Sequence, residues 1–260
     1  MTARGGLWKA VWELGAGFLT AVQFLTIVPV RRRATEAELG YSLAYFPVVG
    51  LGIGAVLYGL DRLFTLFLPV GVGTALLIVA LVVLTGAHHL DGLIDTCDGM
   101  AAGRTTEQRL AIMRDTHAGS YGIVGVCCVL LLKYVSLLFL PVTFRMAALF
   151  LMPVAARWAM VHALLIHRPA RSEGLGWTYR RKATWWALAA ATVVTLGVSY
   201  WMMGVLGLGV MGAVWLIVLT SGFLLSRRLG GLTGDTYGAV NEVVEVSTLI
   251  LVPLIGGAYF

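Results

Sequence analysis

Apolar residues along this chain arrive in long, nearly unbroken stretches separated by short polar segments. Stretches long enough to cross a bilayer cover about residues 44–68, 71–87, 119–140, 144–166, 184–203 and 205–225, and a shorter one closes the chain from Val243. A helix needs about 20 apolar residues to cross about 30 Å of hydrocarbon, so the pattern predicts an all-α integral membrane protein, a polytopic bundle of six or seven transmembrane helices. Arg4 and Lys9 precede apolar residues at the N-terminus, but Glu13 interrupts that run and many spans follow. This segment is expected to be retained as an amphipathic or partly inserted helix rather than removed as a signal peptide. Residues 1–260 then form one membrane-embedded domain whose polar segments lie at about 86–116, 167–182 and 227–245. No internal repeat is evident, which gives no support to a transporter built from inverted halves.

Composition agrees with the pattern: 59% of the 260 residues are hydrophobic and 12% charged, against about 25% charged in soluble domains. A net charge of +6 would point to nucleic acid in a soluble protein. Here the basic residues sit between the apolar runs, so they read as topology signals and contacts for anionic membrane lipid, with no nucleic-acid partner. Thirteen of them occupy alternate connections (Arg31, Arg32, Arg33; Arg104, Arg109, Arg114; Arg168, Arg171, Arg180, Arg181, Lys182; Arg227, Arg228), whereas Arg145 stands alone in the other set. The positive-inside rule places the first set, and the three polar segments, in the cytoplasm. Cys97, Cys127 and Cys128 form no C-x-x-C, so neither a disulfide framework nor a zinc site is indicated.

The densest chemistry lies in residues 88–99, HHLDGLIDTCDG. On a helix, Asp91, Asp95 and Asp98 fall within about 60° of one another, and like charges that close call for a cation. Mg²⁺ prefers carboxylate oxygen and keeps places for water and substrate phosphate, so these three are candidate metal ligands, with a solvated polar turn as the alternative. Asp98 is also a candidate catalytic group, with His89 beside it. Thr105 stands three residues before Gln108, the spacing of a capping box, and predicts a short helix through Ile112 and Met113. Asp115 follows as a candidate proton acceptor and Arg114 as a candidate phosphate contact. In residues 230–245, Gly230, Gly231 and Gly234 offer backbone N–H groups to a phosphate, while Asp235 and Glu242, with Glu245 behind them, are candidates for a second metal site. A purely steric role for those glycines is equally open. Lys133 and Arg157 fall inside predicted spans, where an unpaired charge costs at least about 2.5–3.5 kcal/mol. Each is expected to meet one of the acids or an anionic substrate group, Lys133 as a catalytic and Arg157 as a substrate-binding candidate. Glycines 50, 52 and 54 and glycines 119, 122 and 125 suit close helix packing. No P-loop or dinucleotide fingerprint is present.

The segment from His89 to Gly99, HLDGLIDTCDG, resembles the HLDGLADTxDG signature of the cobalamin synthase (adenosylcobinamide-GDP ribazoletransferase) family. FPVVG at 46–50, IMRD at 112–115, Lys133, EGLG at 173–176 and GGLTGD at 230–235 with the trailing Glu242 and Glu245 are similar too, so the resemblance covers almost the whole chain. Ile94 replaces the usual alanine, and Ile27-Val28-Pro29 lacks the arginine that commonly precedes the proline. The resemblance implies a Mg²⁺-dependent phosphotransferase of the bacterial inner membrane with its active site facing the cytoplasm. A ribose hydroxyl of α-ribazole or its 5′-phosphate would attack adenosylcobinamide-GDP, giving adenosylcobalamin or its 5′-phosphate and GMP. It also makes Glu173 a substrate-binding candidate and Tyr121, Trp158 and Trp177 candidates to line a corrinoid cavity, and it leaves room for a homo-oligomer. Two other readings compete. A CDP-alcohol phosphotransferase requires Asp-Gly-x-x-Ala-Arg, but Asp95-Thr96 stands where Ala-Arg belongs. A transporter would place the acids near the bilayer midplane, whereas Asp91, Asp95 and Asp98 map to an edge.

Overall fold

The computed structural model describes residues 15–257, which form helices joined by short connections. In chain order these are α1 (Gly15–Leu25), α2 (Glu36–Ser42), a 3₁₀ turn (Leu43–Tyr45), α3 (Phe46–Phe67), α4 (Val70–Leu84), α5 (His88–Ala102), α6 (Thr106–Ile112), α7 (Ser120–Leu138), α8 (Val142–Ile166), α9 (Leu175–Lys182), α10 (Trp185–Met203), α11 (Val205–Leu229) and α12 (Gly234–Ile255). Among the described residues six helices are long and apolar enough to span a membrane, and a seventh span results if α4 and α5 count as one broken pair. The chain is a multi-pass membrane protein. The N-terminal Arg4, Lys9 and Glu13 lie outside the described residues; α1 is apolar, and its Phe24 stacks on Phe46.

α8 is the axis of the bundle, buried at every position from Ala147 to Leu165 except Phe150. Its neighbours α3 and α12 come close because of small residues. A Cβ on Gly50 or Gly54 would run into the α8 backbone at Pro153 or Leu149, and lipid supplies no hydrophobic drive between helices, so such backbone approach is what holds them. Gly122 and Gly125 do the same for α7 against Ile94 and Cys97 of α5, whereas Gly52 faces open space. On the outside, α10 and α11 present Trp186, Val193, Trp201, Leu216 and Phe223, the surface expected of helices solvated by lipid.

The run expected at 71–87 ends as α4, and the chain turns there: Gly86 and Ala87 both take left-handed backbone angles, and α5 leaves α4 at 89°. The segment 230–245 is not an open polar loop, because α12 begins at Gly234. Thr233 caps it, accepting from the Thr236 N–H in a capping box, and the acids that seemed too polar for a span are paired inside it. The short helix expected after Thr105 is α6, with its capping box to Gln108 in place.

The basic connections gather at one end of the bundle. Lys182 pairs with Glu36 at 2.6 Å and Arg114 with Glu173 at 2.7 Å. Arg171 donates to the Leu110 carbonyl at 3.0 Å and Arg168 to that of Gly230 at 2.8 Å. At the opposite ends of α3 and α8, Asp61 and Arg145 pair at 2.7 Å.

Candidate active site

The site is built where α5 crosses the start of α12. Gly92 has no side chain, and a Cβ there would strike the Asp235 backbone; Gly238 faces the His89 backbone in the same way. This crossing brings the first turns of both helices together, so Asp91 of α5 and Asp235 of α12 line one cavity of about 210 Å³. Asp95, one turn further along α5 and half-buried, lies within the fields of Asp235, Asp91, Asp98 and Arg171. Arg171 approaches Asp235 at 3.7 Å. Three carboxylates with one guanidinium form an acid rim, and Gly176 and Leu175 of α9 border it from the other side. Below the rim the wall turns apolar and aromatic: Phe24, Phe46, Met160, Leu164, Tyr179 and Tyr237. Phe24 and Tyr179 rings lie 4.9 Å apart, and burial pushes the Tyr179 hydroxyl up to about 12. A second depression of about 190 Å³ shares Leu175, Gly176, Gly234 and Asp235 and is bordered by Arg171, Glu173 and Trp177.

The remaining candidates are distributed differently from the sequence reading. Asp98 is turned to α7: its oxygens accept from the Gly119 and Gly122 N–H groups at 2.8 and 2.9 Å. It therefore supplies the acceptor that the first turn of α7 lacks, and it faces α7 rather than the cavity that Asp91 and Asp235 line. Glu242, expected as a metal ligand, and Lys133, expected as a catalytic group, meet each other, and neither lines the cavity. Lys133 Nζ meets Glu242 at 2.6 Å and Glu245 at 2.5 Å, and Arg157 pairs with the other oxygen of Glu245. All four side chains are at most 5% exposed, so Arg157 lies in the bundle interior, paired with Glu245. Asp115 is exposed and bonded to His117 at 2.7 Å, which holds its carboxyl below the usual range; nothing links it to the rim. Gly230 ends α11 with a left-handed φ of 74°, and Gly231 packs against the backbone of 168–170, so both are steric. Gly234 alone of the three lines the cavity. His89 lines it too, buried, with Nδ1 lacking a partner among the described residues. Arg114 and Glu173 pair with each other over a shallow depression next to the rim.

Comparison with known proteins bears on these same segments. The family model described as cobalamin-5-phosphate synthase matches residues 17–253, from α1 to the last turn of α12. The chain belongs to the cobalamin-5-phosphate synthase family. Similar curated relatives carry the name adenosylcobinamide-GDP ribazoletransferase. That of Geotalea daltonii is 38% identical over 93% of this chain and 98% of its own length. That of Roseiflexus sp. is 39% identical over 94% and 91%, and that of Desulforamulus reducens 36% over 90% and 94%. No solved structure matches. The matched region of this cobalamin-5-phosphate synthase family member contains every residue of the rim and the cavity.

Several site residues escaped the sequence reading. Arg171 counted only as a topological charge, yet its guanidinium reaches the rim at Asp235. Phe24, Phe46, Tyr179 and Tyr237 come from four helices, and no local pattern unites them. Of the aromatics expected at a cavity, Trp177 borders the site, Tyr121 is exposed, and Trp158 of α8 donates to Thr192 of α10. Asp61 lay unremarked inside an apolar run; its signal was the lone Arg145 of the opposite connections.

Proposed function

We propose that this chain joins α-ribazole, or its 5′-phosphate, to adenosylcobinamide-GDP at the cytoplasmic face of the inner membrane. The ribose hydroxyl attacks the phosphorus that carries the cobinamide, the bond to the leaving GMP oxygen breaks, and adenosylcobalamin or its 5′-phosphate forms. Family membership supports a transferase of cobalamin assembly, and the observation that carries the mechanism is the acid rim of Asp91, Asp95 and Asp235 above an apolar cavity. Transfer between an alcohol and a pyrophosphate chiefly needs positioning and stabilisation of charge on the leaving phosphate.

Mg²⁺ fits the donor chemistry of the rim, which offers hard carboxylate oxygens and no thiol. Among the described residues no three His, Cys, Asp or Glu groups converge on one point. That suits an ion held by one or two carboxylates and completed by substrate phosphates better than a closed protein cage. One or two of the carboxylates of Asp91, Asp95 and Asp235 would hold it, and when bound it would neutralise charge on the pyrophosphate. Arg171, already beside Asp235, draws the same anion toward the rim, and a rim carboxylate takes the proton of the attacking hydroxyl. The one-sided gathering of the basic connections supports a cytoplasmic site.

The test is release of GMP by the purified protein when both substrates are supplied, with loss of turnover in EDTA and recovery on adding Mg²⁺. No GMP release with active substrates would reject the transferase reading, and undiminished turnover in EDTA would reject the ion.

A further inference from the structure

We infer that the cavity beneath the acid rim receives the dimethylbenzimidazole base of α-ribazole, and that the Tyr237 hydroxyl donates a hydrogen bond to the free ring nitrogen of that base. This rests on the reading above and adds which substrate, and which part of it, this cavity selects.

Size narrows the choice first. A dry cavity of about 150 Å³ holds benzene, so about 210 Å³ suits a two-ring base and excludes a corrin macrocycle, which must stay outside the rim. Three flat bases remain, the benzimidazole of one substrate and the guanine and adenosyl adenine of the other. The walls decide between them. Phe24, Phe46, Met160, Leu164 and Leu175 make the wall below the carboxylates largely apolar, and a purine, which has more donors and acceptors to pair than dimethylbenzimidazole, pays more on burial there. Dimethylbenzimidazole in a nucleoside carries two methyl groups, an apolar ring edge and one acceptor nitrogen.

The structure holds a match for that single nitrogen. Tyr237 is 4% exposed and lines the cavity, and its hydroxyl has no partner among the described residues. A buried tyrosine hydroxyl ordinarily finds one. His89 Nδ1 is also unpartnered, but that ring lies in the field of the buried Arg157 and Glu245, whereas the Tyr237 ring packs beside Gly176 at the cavity wall. The base also sets the direction of the sugar. Asp91 and Asp235 line the same cavity and accept hydrogen bonds only, so ribose hydroxyls are the part of the nucleoside that suits them, and one of those hydroxyls is the attacking group.

The experiment first confirms GMP release by the full chain; its absence would remove the underlying reading rather than this one. With turnover in hand, KM is measured for each substrate separately, and α-ribazole binding is titrated calorimetrically. Tyr237→Phe keeps the ring and should raise KM and Kd for α-ribazole about three- to tenfold, the span of one net hydrogen bond, with KM for adenosylcobinamide-GDP unchanged. Leu175→Trp alters an exposed position at the mouth and should likewise weaken α-ribazole alone, whether or not Tyr237→Phe folds. The nucleoside lacking both methyls should bind on the order of tenfold more weakly to wild type. Shifts that fall on adenosylcobinamide-GDP would assign the cavity to one of its purines and overturn the inference, as would variants in which neither KM moves.

Discussion

Replacing Lys133 with methionine tests what the buried ions do. The side chain keeps its length and loses its charge, so packing is largely preserved. In the native protein two cations, Lys133 and Arg157, balance two anions, Glu242 and Glu245, in a region at most 5% exposed. At 2.6 Å and an effective dielectric near 20, each Lys133 contact is worth about 6 kcal/mol of gross attraction, offset by several kcal/mol of desolvation per ion. The variant keeps that desolvation cost for the glutamates and leaves one negative charge uncompensated. Removing one partner of a buried pair typically costs about 3–5 kcal/mol, or about 6–20 °C in unfolding temperature for a chain of this size. Tryptophan fluorescence during heating in detergent reads this directly. Lys133→Met/Glu242→Gln restores neutrality around Arg157 and Glu245 and should recover at least half of the loss. Lys182→Met, which breaks a part-exposed pair with Glu36, should cost at most about 1 kcal/mol. A Lys133→Met protein that unfolds with wild type, or a double variant no better than the single, would refute charge balance as the role of Lys133.

Asp91→Asn and Asp235→Asn should each lower kcat about 10²-fold, equivalent to about 3 kcal/mol at the transition state, with unfolding temperature unchanged; full turnover by both would remove the rim from the reaction. Asp98→Ala should do the reverse, costing about 2 kcal/mol of stability by stripping the α7 N-terminus of its acceptor; wild-type stability with lost turnover would return Asp98 to the reaction. Burial holds His167 below the ordinary histidine value, so the unfolded chain binds its proton more readily and stability should fall as pH drops through about 6.5. His167→Gln should flatten that slope in thermal scans, and an unchanged slope would assign it to another group.

What was legible in the sequence follows the range of the forces involved. Span number depends on local hydropathy, and the α6 capping box on residues three apart, so both were readable. The bend between α4 and α5 was not, because a left-handed Ala87 has no compositional signature. The allocation of acids was the harder matter. Asp91, Asp95, Asp98, Asp235, Glu242 and Glu245 look alike in sequence as carboxylates at the edges of apolar runs. Which of them face the cavity depends on partners far along the chain: Gly119 and Gly122 for Asp98, Lys133 for Glu242, Arg157 for Glu245. Lys133 and Arg157 were expected to meet acids; that these are the acids withdrawn from the rim required the fold.

The two sets of acids are joined by α12. Its first turn carries Asp235 and Tyr237 to the cavity, and about two turns later Glu242 and Glu245 are held by α7 and α8 through Lys133 and Arg157. Apolar contacts alone would let a helix slide or rotate in lipid, since a shifted register buries nearly the same surface. Ion pairs in a low-dielectric interior do not tolerate such a shift, because a displaced charge loses its partner without regaining water. The buried network therefore fixes how α12 is rotated and how far it is inserted, and the Gly92–Gly238 crossing fixes its distance from α5. Together they set the separation of Asp91 from Asp235, on which the proposed shared ion and attack would depend. Catalytic loss in a Lys133 variant that still folds would then arise from a displaced Asp235, and substitutions that re-balance the network should restore turnover together with stability.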